Sequence, residues 1–241
     1  LANQLLYCIT SVTPRARYYS FIPWCVSDWS KNEKDKPGGR SLREAIIQRE
    51  KALVMGSVIN HEGNPCSGGS LIGSDLMTSW YSGEYKNQID LNLFEHVKNP
   101  AYDIYISSLF NLGLFKTSEE ISYVFKVFGE EKDAPPEELK LSNIGQKIAD
   151  KYSLSIKSLK VTNTLYKNNK FFAEDLKQYG AKAGLCELKN PEAKDRKILQ
   201  DLFFNYISNL NPSHNLRRDS LLLFLFLSKK LSTKGLPLNE D

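Results

Sequence analysis

The predicted fold depends most on one part of the chain, which reads NPAYDIYISSLFNLGLF (99–115), ISYVFKVF (121–128) and LSNIGQKIADKY (141–152). Asn99-Pro100 predicts the start of a helix, and Gly113 predicts its end. The β-branched and aromatic run at 121–128 predicts a strand, and Ser142 predicts the start of a further helix. Elements in this order are typical of the end of a winged-helix unit. A small α+β insertion without a nucleic-acid role would contain the same elements.

Helical patterns precede this portion of the chain. Thr13-Pro14 is a helix start, and that helix should run to about Ser30. It should bend or end at Pro23, because proline lacks a backbone N–H. Ser41 and Glu44 have the spacing of a capping box for a second helix. Ser74 is predicted to cap a short third one.

Helical patterns also follow it. Residues 153–190 are predicted to be helical, with a break near NNK (168–170). A further helix is predicted to start after Asn190-Pro191. The last helix contains LLLFLFL (221–227), which is far shorter than the ~20 residues that span a bilayer. We interpret this run as a buried helix and expect no contact with a membrane.

The sequence therefore predicts a mainly α protein with a small winged-helix-like α/β portion. Its parts would be an N-terminal helical region (1–98), the winged-helix-like portion (99–152) and a C-terminal helical region (153–241), and we expect them to form one compact unit. The 41% hydrophobic and 25% charged residues are typical of a globular protein. Because the sequence begins with Leu1 rather than methionine, we expect its N-terminal end to be incomplete. We expect the same of its C-terminal end at LPLNED (236–241).

The motifs of common active sites are missing from the sequence. The glycine-rich CSGGSLIGSD (66–75) lacks the lysine of a phosphate-binding loop. His61, Cys66 and His96 lack the regular spacing of zinc ligands. EDLK (174–177) lies in helical sequence with no strand predicted before it, so we interpret it as a surface charge pair and not as part of a nuclease site. We predict a protein that is not an enzyme and has no metal and no cofactor.

Basic residues are concentrated between residues 140 and 170, where seven lysines accompany a single acid, Asp150. Such a stretch can neutralise phosphates and give salt-dependent binding that is independent of base sequence. A solvated helix face would show the same run of charge. The candidates for contact with a DNA backbone are Lys140, Lys147, Lys151, Lys157, Lys160, Lys167 and Lys170.

Two arginine pairs are the other candidates, as structural residues or as contacts to a partner. Arg15 and Arg17 are two residues apart, so they cannot share one face of a helix. We expect one of them to point inward, towards an anion or an aromatic ring. Arg217 and Arg218 lie at the N-terminal end of the last helix, where cations are disfavoured. One of them could pair with an acid such as Asp28 or Asp219.

Several segments together resemble a bacterial family. They are ANQLL (2–6), ITSVTPRARYYSFIPWCV (9–26), GSLIGSDLMTSWYSGE (69–84), KNPAYDIYISSLFNLGLF (98–115), LSNIGQKIADKY (141–152), LCELKNPEAKDRKILQDLFF (185–204) and LRRDSLLLFLFL (216–227). The resembled proteins are non-catalytic middle subunits of Lamassu-like antiphage and antiplasmid systems. The resemblance implies an accessory subunit that joins a chromosome-maintenance (SMC) or ABC-type ATPase to an effector nuclease.

The leading hypothesis is therefore a non-enzymatic adaptor of a bacterial defence complex that contacts both subunits and also double-stranded DNA. The four scattered cysteines fit a reducing cytoplasm. A stand-alone winged-helix regulator is the alternative in a different class, and it would bind duplex DNA by itself. A nuclease is a third hypothesis, for which the sequence identifies no carboxylate.

Overall fold

The computed structural model describes residues 15–63, 71, 73–83, 87–94, 100–116 and 139–204, together with residues 219, 222, 223, 226 and 229. The helices named within these ranges are α1 (Tyr18–Asn32), α2 (Leu42–Asn60), α3 (Ser74–Gly83), α4 (Ala101–Asn111), α5 (Asn143–Ile156), α6 (Lys160–Thr164), α7 (Ala173–Ala183) and α8 (Arg196–Phe204). The strands are β1 (Gln88–Asp90) and β2 (Lys170–Phe172), and two 3₁₀ turns cover Leu91–Leu93 and Leu185–Lys189. The protein is mainly α with a small α/β part, as the sequence predicted.

Local signals set several helix ends. The Ser41 side chain accepts a hydrogen bond from the Glu44 N–H, and the Glu44 carboxylate accepts one from the Ser41 N–H, which confirms the predicted capping box. The Ser142 hydroxyl caps α5 in the same way, through the N–H of Gly145. Gly113 follows α4 with a φ of +68°, a left-handed conformation that favours glycine. The predicted boundaries of these helices are correct.

The first helix differs from its prediction. Thr13 and Pro14 lie outside the described residues, and α1 begins at Tyr18 with Arg17 as its N-cap. It does not end at Pro23 but continues to Asn32. The proline removes a hydrogen bond to the Tyr19 carbonyl, yet the aromatic side chains around it are buried on both sides. Burial of that apolar surface outweighs one lost hydrogen bond.

The largest packing contact joins α2 to α7. Two glycines face each other there: a Cβ built on Gly180 would lie 2.0 Å from the Gly56 carbonyl oxygen. No side chain larger than hydrogen fits between these backbones, so the two helices meet at closer than usual distance. This contact fixes the positions of the residues that follow each helix.

Aromatic side chains fill the space between α1, α4 and α5. The Tyr18 ring centroid lies 4.9 Å from that of Tyr105, and the Trp24 centroid lies 5.6 Å from that of Tyr152. The Phe203 ring of α8 contacts Tyr19 at 5.1 Å. Buried side chains from all three predicted regions thus belong to one hydrophobic core.

The described residues contain a small sheet outside the portion in which the sequence predicted the α/β part. The strand predicted at 121–128, and with it the wing of the winged-helix-like portion, lies outside the described residues. The described sheet instead pairs β1 with β2 in antiparallel register, with Ile89 opposite Phe171. β2 lies within 153–190, which was predicted to be helical with a break. A separate bridge joins Phe115 to Leu141, so the chain on either side of residues 117–138 is paired.

Two further predictions were wrong. The helix expected after Asn190-Pro191 begins only at Arg196, because turns at residues 191–192 and 194–195 come first. EDLK is helical as expected, but strand β2 directly precedes it.

Candidate nucleic-acid and partner interface

The seven lysines between residues 140 and 170 all have exposed side chains. We call them the basic surface; its members are Lys140, Lys147, Lys151, Lys157, Lys160, Lys167 and Lys170. Lys147 and Lys151 are four residues apart on α5, so they lie on one helix face. Lys157, Lys160 and Lys167 lie in the loops and the short helix between α5 and β2, Lys170 is the first residue of β2, and Lys140 precedes α5.

Two of these lysines meet at the small sheet. Lys170 and Phe172 lie two residues apart on β2, so their side chains point to the same side of the strand. The Lys160 ammonium lies 5.1 Å from the centroid of the Phe172 ring, which is 53% exposed. The ammonium of Lys167 lies 5.4 Å from the Tyr166 ring centroid. Lysines beside an exposed aromatic ring such as that of Phe172 can contact both the phosphates and the bases of a nucleic acid.

Acids reduce the charge of part of the basic surface. Lys160 Nζ lies 2.9 Å from Asp175 Oδ2, and Lys170 Nζ lies 3.7 Å from Asp90 Oδ2. Asp175 belongs to EDLK, and the ion pair described here joins it to Lys160 of α6 and not to the lysine of the same motif. Phosphate binding near β2 would therefore compete with these carboxylates, whereas the α5 face carries Lys147 and Lys151 beside the single acid Asp150.

Arg17 is buried and holds α1 to the chain before α8. Its Nε donates to Asp195 Oδ2 at 3.1 Å and its Nη2 donates to Asp195 Oδ1 at 3.3 Å, while its Nη1 donates to the Gly184 carbonyl. The Ser20 hydroxyl donates to the same carboxylate at 2.6 Å. The guanidinium also lies 5.1 Å from the Tyr152 ring centroid. Arg17 thus has a structural position, and its charge is already balanced.

Arg15 is half-buried and has a different environment. Its backbone N–H donates to the Tyr105 hydroxyl at 2.9 Å. Its side chain lines a pocket of about 210 Å³, together with Arg17, Cys186 and Lys189. Of the two arginines that line this pocket, Arg17 is therefore buried in the interior and Arg15 is half-buried.

The second arginine pair, Arg217 and Arg218, lies outside the described residues. Asp28, which we considered as its partner, accepts hydrogen bonds from Arg49 instead, at 2.6 Å from Nη2. Arg49 also donates to Glu33 at 2.7 Å and is fully buried. This buried network was not predicted from the sequence. Its only sequence signal was an arginine within an otherwise apolar helix face.

Three apolar side chains of the C-terminal segment are exposed. Leu222, Leu223 and Phe226 are helical and are 57%, 57% and 61% exposed. Their spacing puts them on one face of the helix, and we call them the apolar row. The interpretation of 221–227 as a buried helix is wrong for these positions. A run of leucines predicts that the side chains are buried, but it does not indicate whether this chain or another protein buries them.

A buried acid, Glu50, lies in α2. The Glu50 carboxylate accepts from the Ala101 N–H at 3.0 and 3.2 Å through its two oxygens. Burial raises the pKa of Glu50 to about 8, and the nearby charge of Asp103 adds to this, while the Ala101 hydrogen bond opposes it. The carboxyl group is therefore protonated at neutral pH.

His61 and Cys186 form a contact that the sequence analysis did not predict. His61 Nε2 lies 3.1 Å from Cys186 Sγ, although 125 residues separate the two in the chain. Cys66 and His96, the other ligands considered for zinc, lie outside the described residues. Within the described ranges no group of three or more His, Cys, Asp or Glu side chains could hold a metal ion.

Comparisons of the chain with family models, curated proteins and solved structures found no match. Among the described residues, no helix has the length and apolar character that crossing a membrane requires.

Proposed function

We propose that the protein is a non-enzymatic adaptor subunit of a cytoplasmic bacterial defence complex of the Lamassu-like kind. In this proposal it joins an SMC/ABC-type ATPase to an effector nuclease and contacts the backbone of double-stranded DNA. The observation that carries the proposal is the apolar row of Leu222, Leu223 and Phe226, each more than half exposed. The nature of the two partners comes from the resemblance of the sequence.

The apolar row fits a surface that another protein covers. Exposure of leucine and phenylalanine side chains to water is unfavourable. Full burial of each such side chain would stabilise the protein by about 1.5–3 kcal/mol. Single exposed apolar residues are common, but a contiguous row on one face is typical of an interface. An amphipathic helix of this kind can be laid into a groove of a partner, with anchors spaced by three and four residues.

The interior supports the same role. Arg17 with Asp195, and Arg49 with Asp28 and Glu33, tie separate helices together by charged hydrogen bonds. The glycine contact between α2 and α7 holds two helix backbones against each other. A subunit that positions two partners needs surfaces held on rigid elements, and these contacts supply that rigidity.

The basic surface is the proposed contact to DNA. Lysines bind phosphates as point charges and carry little sequence information. The lysines of the α5 face would give an affinity that falls as salt rises. An adaptor needs no sequence preference, because the complex would act on any DNA that its ATPase engages.

The test of the adaptor function is co-purification with the products of the neighbouring genes. We expect the full chain to be retained by the tagged ATPase or the tagged nuclease, and L223D/F226D to lose that retention. L93D is the matched control, since Leu93 is 76% exposed and lies outside the apolar row. No retention of the unmodified chain by either product, or equal loss in L93D and L223D/F226D, would contradict the proposal.

The purified chain, with and without the ATPase, also distinguishes the adaptor from the alternative function. A stand-alone winged-helix regulator would bind duplex DNA tightly without its neighbours and with a steep salt dependence. The adaptor is expected to bind duplex DNA weakly alone and more tightly within the complex. Fluorescence anisotropy of a labelled duplex, with and without the ATPase, measures both.

A further inference from the structure

We propose that Cys186 and His61 form a reactive thiol site that exchanges with small anionic disulfides. This inference is independent of the adaptor function. It starts from the contact between His61 Nε2 and Cys186 Sγ at 3.1 Å. A nucleophilic side chain within hydrogen-bond reach of a base is the arrangement that activates a thiol.

The fold determines the position of this pair. His61 directly follows α2, and Cys186 lies in the 3₁₀ turn that follows α7. Gly56 lies five residues before His61, and Gly180 lies six residues before Cys186. These two glycines form the close backbone contact between the helices. The two helices thus run side by side in the same direction. Their contact brings the two chain segments beyond it to the same place.

Electrostatics around the thiol favours an anion. Cys186 lines the pocket of about 210 Å³ with the cationic side chains of Arg15 and Lys189. Arg17 also borders this pocket, and its guanidinium is paired with Asp195. Cations beside a cysteine stabilise its thiolate, and they attract a reagent that carries carboxylates.

Both groups of the pair are accessible in part. The side chains of His61 and Cys186 are half-buried. Cys25 makes a clear contrast, because it is fully buried in α1 and burial raises its pKa well above the ordinary value for a thiol. Of these two thiols, Cys186 has both the base and the access that reaction requires.

The proposed reaction is thiol–disulfide exchange. His61 Nε2 takes the proton of the Cys186 thiol, and the thiolate attacks one sulfur of the small disulfide. A new S–S bond forms at Cys186 as the S–S bond of the reagent breaks. The departing thiolate takes the proton back from the His61 imidazolium. The oxidant is the small disulfide itself, which is reduced to one released thiol while Cys186 becomes a mixed disulfide.

The experiment uses the full chain and two reagents, the dianionic dithiobis(nitrobenzoate) and the neutral dithiodipyridine. The rate of modification at Cys186 is read by peptide mass spectrometry, with C186S as the blank. At about pH 6 we expect H61Q to react roughly fivefold more slowly with either reagent, because less thiolate is available. An unchanged rate in folded H61Q would overturn the proposal.

Two further measurements do not depend on H61Q being folded. Folded wild-type protein is expected to react at Cys186 several-fold faster with the dianionic reagent than the same chain unfolded in urea does. K189Q is expected to lower the ratio of the dianionic to the neutral rate by roughly threefold, because one attractive charge is removed. A folded rate at or below the unfolded one would overturn the base role of His61. An unchanged ratio in both K189Q and R15Q would overturn the anion preference.

Discussion

The arginines of the interior and the lysines of the basic surface carry the same charge in opposite environments. Arg17 is 1% exposed and Arg49 is 0% exposed, whereas all seven lysines from Lys140 to Lys170 are exposed. The planar guanidinium can donate two parallel hydrogen bonds to a buried carboxylate. It is also more weakly hydrated than an ammonium group, so moving it out of water costs less free energy. Position in the fold, and not the count of basic residues, decides whether a charge is structural or available for binding.

Buried acids show the same division. Asp195 has the guanidinium of Arg17 beside it and receives a hydrogen bond from Ser20. Glu50 is buried too, but the hydrogen bonds that the structure describes for it come from a backbone N–H. Asp195 can therefore be buried as an ion, and Glu50 is buried as a neutral acid. Substitutions at these two sites should have different consequences.

The largest expected effect is the loss of the buried ion pair. D195A leaves the Arg17 charge buried without its partner, and it should lower the free energy of unfolding by roughly 3–5 kcal/mol. Urea denaturation at neutral pH measures this. The control is K197Q, which breaks the exposed pair of Lys197 and Asp201 on α8 and should cost less than about 1 kcal/mol.

The double variant R17M/D195L sharpens this prediction. Replacing both charges by apolar side chains leaves no unpaired ion, so much of the stability lost in D195A should return. If D195A cost less than about 1 kcal/mol, the structural role assigned to the pair would be wrong.

The next effect is a change in pH dependence at Glu50. The folded protein keeps the Glu50 proton up to about pH 8, while the unfolded chain releases it near pH ~4.3. Between these values the folded state binds more protons, so its stability falls as pH rises, by up to about 1.4 kcal/mol per pH unit. E50Q does not titrate, and its amide oxygen can still accept from the Ala101 N–H.

Urea denaturation at about pH 5 and about pH 7.5 tests this. The wild type should lose roughly 2–3 kcal/mol more than E50Q between the two conditions. Equal pH dependence in the two proteins would contradict the assignment of Glu50 as a buried neutral acid. E44Q is the control, because the carboxylate of Glu44 is exposed and its hydrogen bonds from Ser41 lower its pKa.

Local signals explain which parts of this fold could be predicted. Ser41 with Glu44, Ser142 and Gly113 act within a few residues of themselves, so the helix ends that depend on them were predicted correctly. Pro23 does not end α1, which continues to Asn32, because the packing of α1 outweighs the local preference of a proline. β1 and β2 have three residues each and are 80 positions apart, counted from Asp90 to Lys170. A pairing so short and so distant leaves no periodic pattern.

The candidate sites also differ in whether their residues are close together or far apart in the chain. The basic surface was evident because its charges are close together in the chain. The contacts of Arg17 with Asp195 and of His61 with Cys186 are separated by 178 and 125 residues. Only the packing of the helices creates such contacts, so composition and spacing cannot indicate them.

The smallest effect on stability, and the most direct test of the basic surface, is expected from K147Q/K151Q. Both side chains are exposed on one face of α5, so the free energy of unfolding should change by less than about 0.5 kcal/mol. If the face binds phosphates, the slope of log affinity against log salt should fall by about 2, close to one for each lysine removed. Anisotropy of a labelled duplex within the assembled complex gives this slope. K182Q/K194Q, two exposed lysines outside residues 140–170, should leave it unchanged. An equal fall in both double variants would mean that DNA is attracted by net charge alone, and that the α5 face has no particular role.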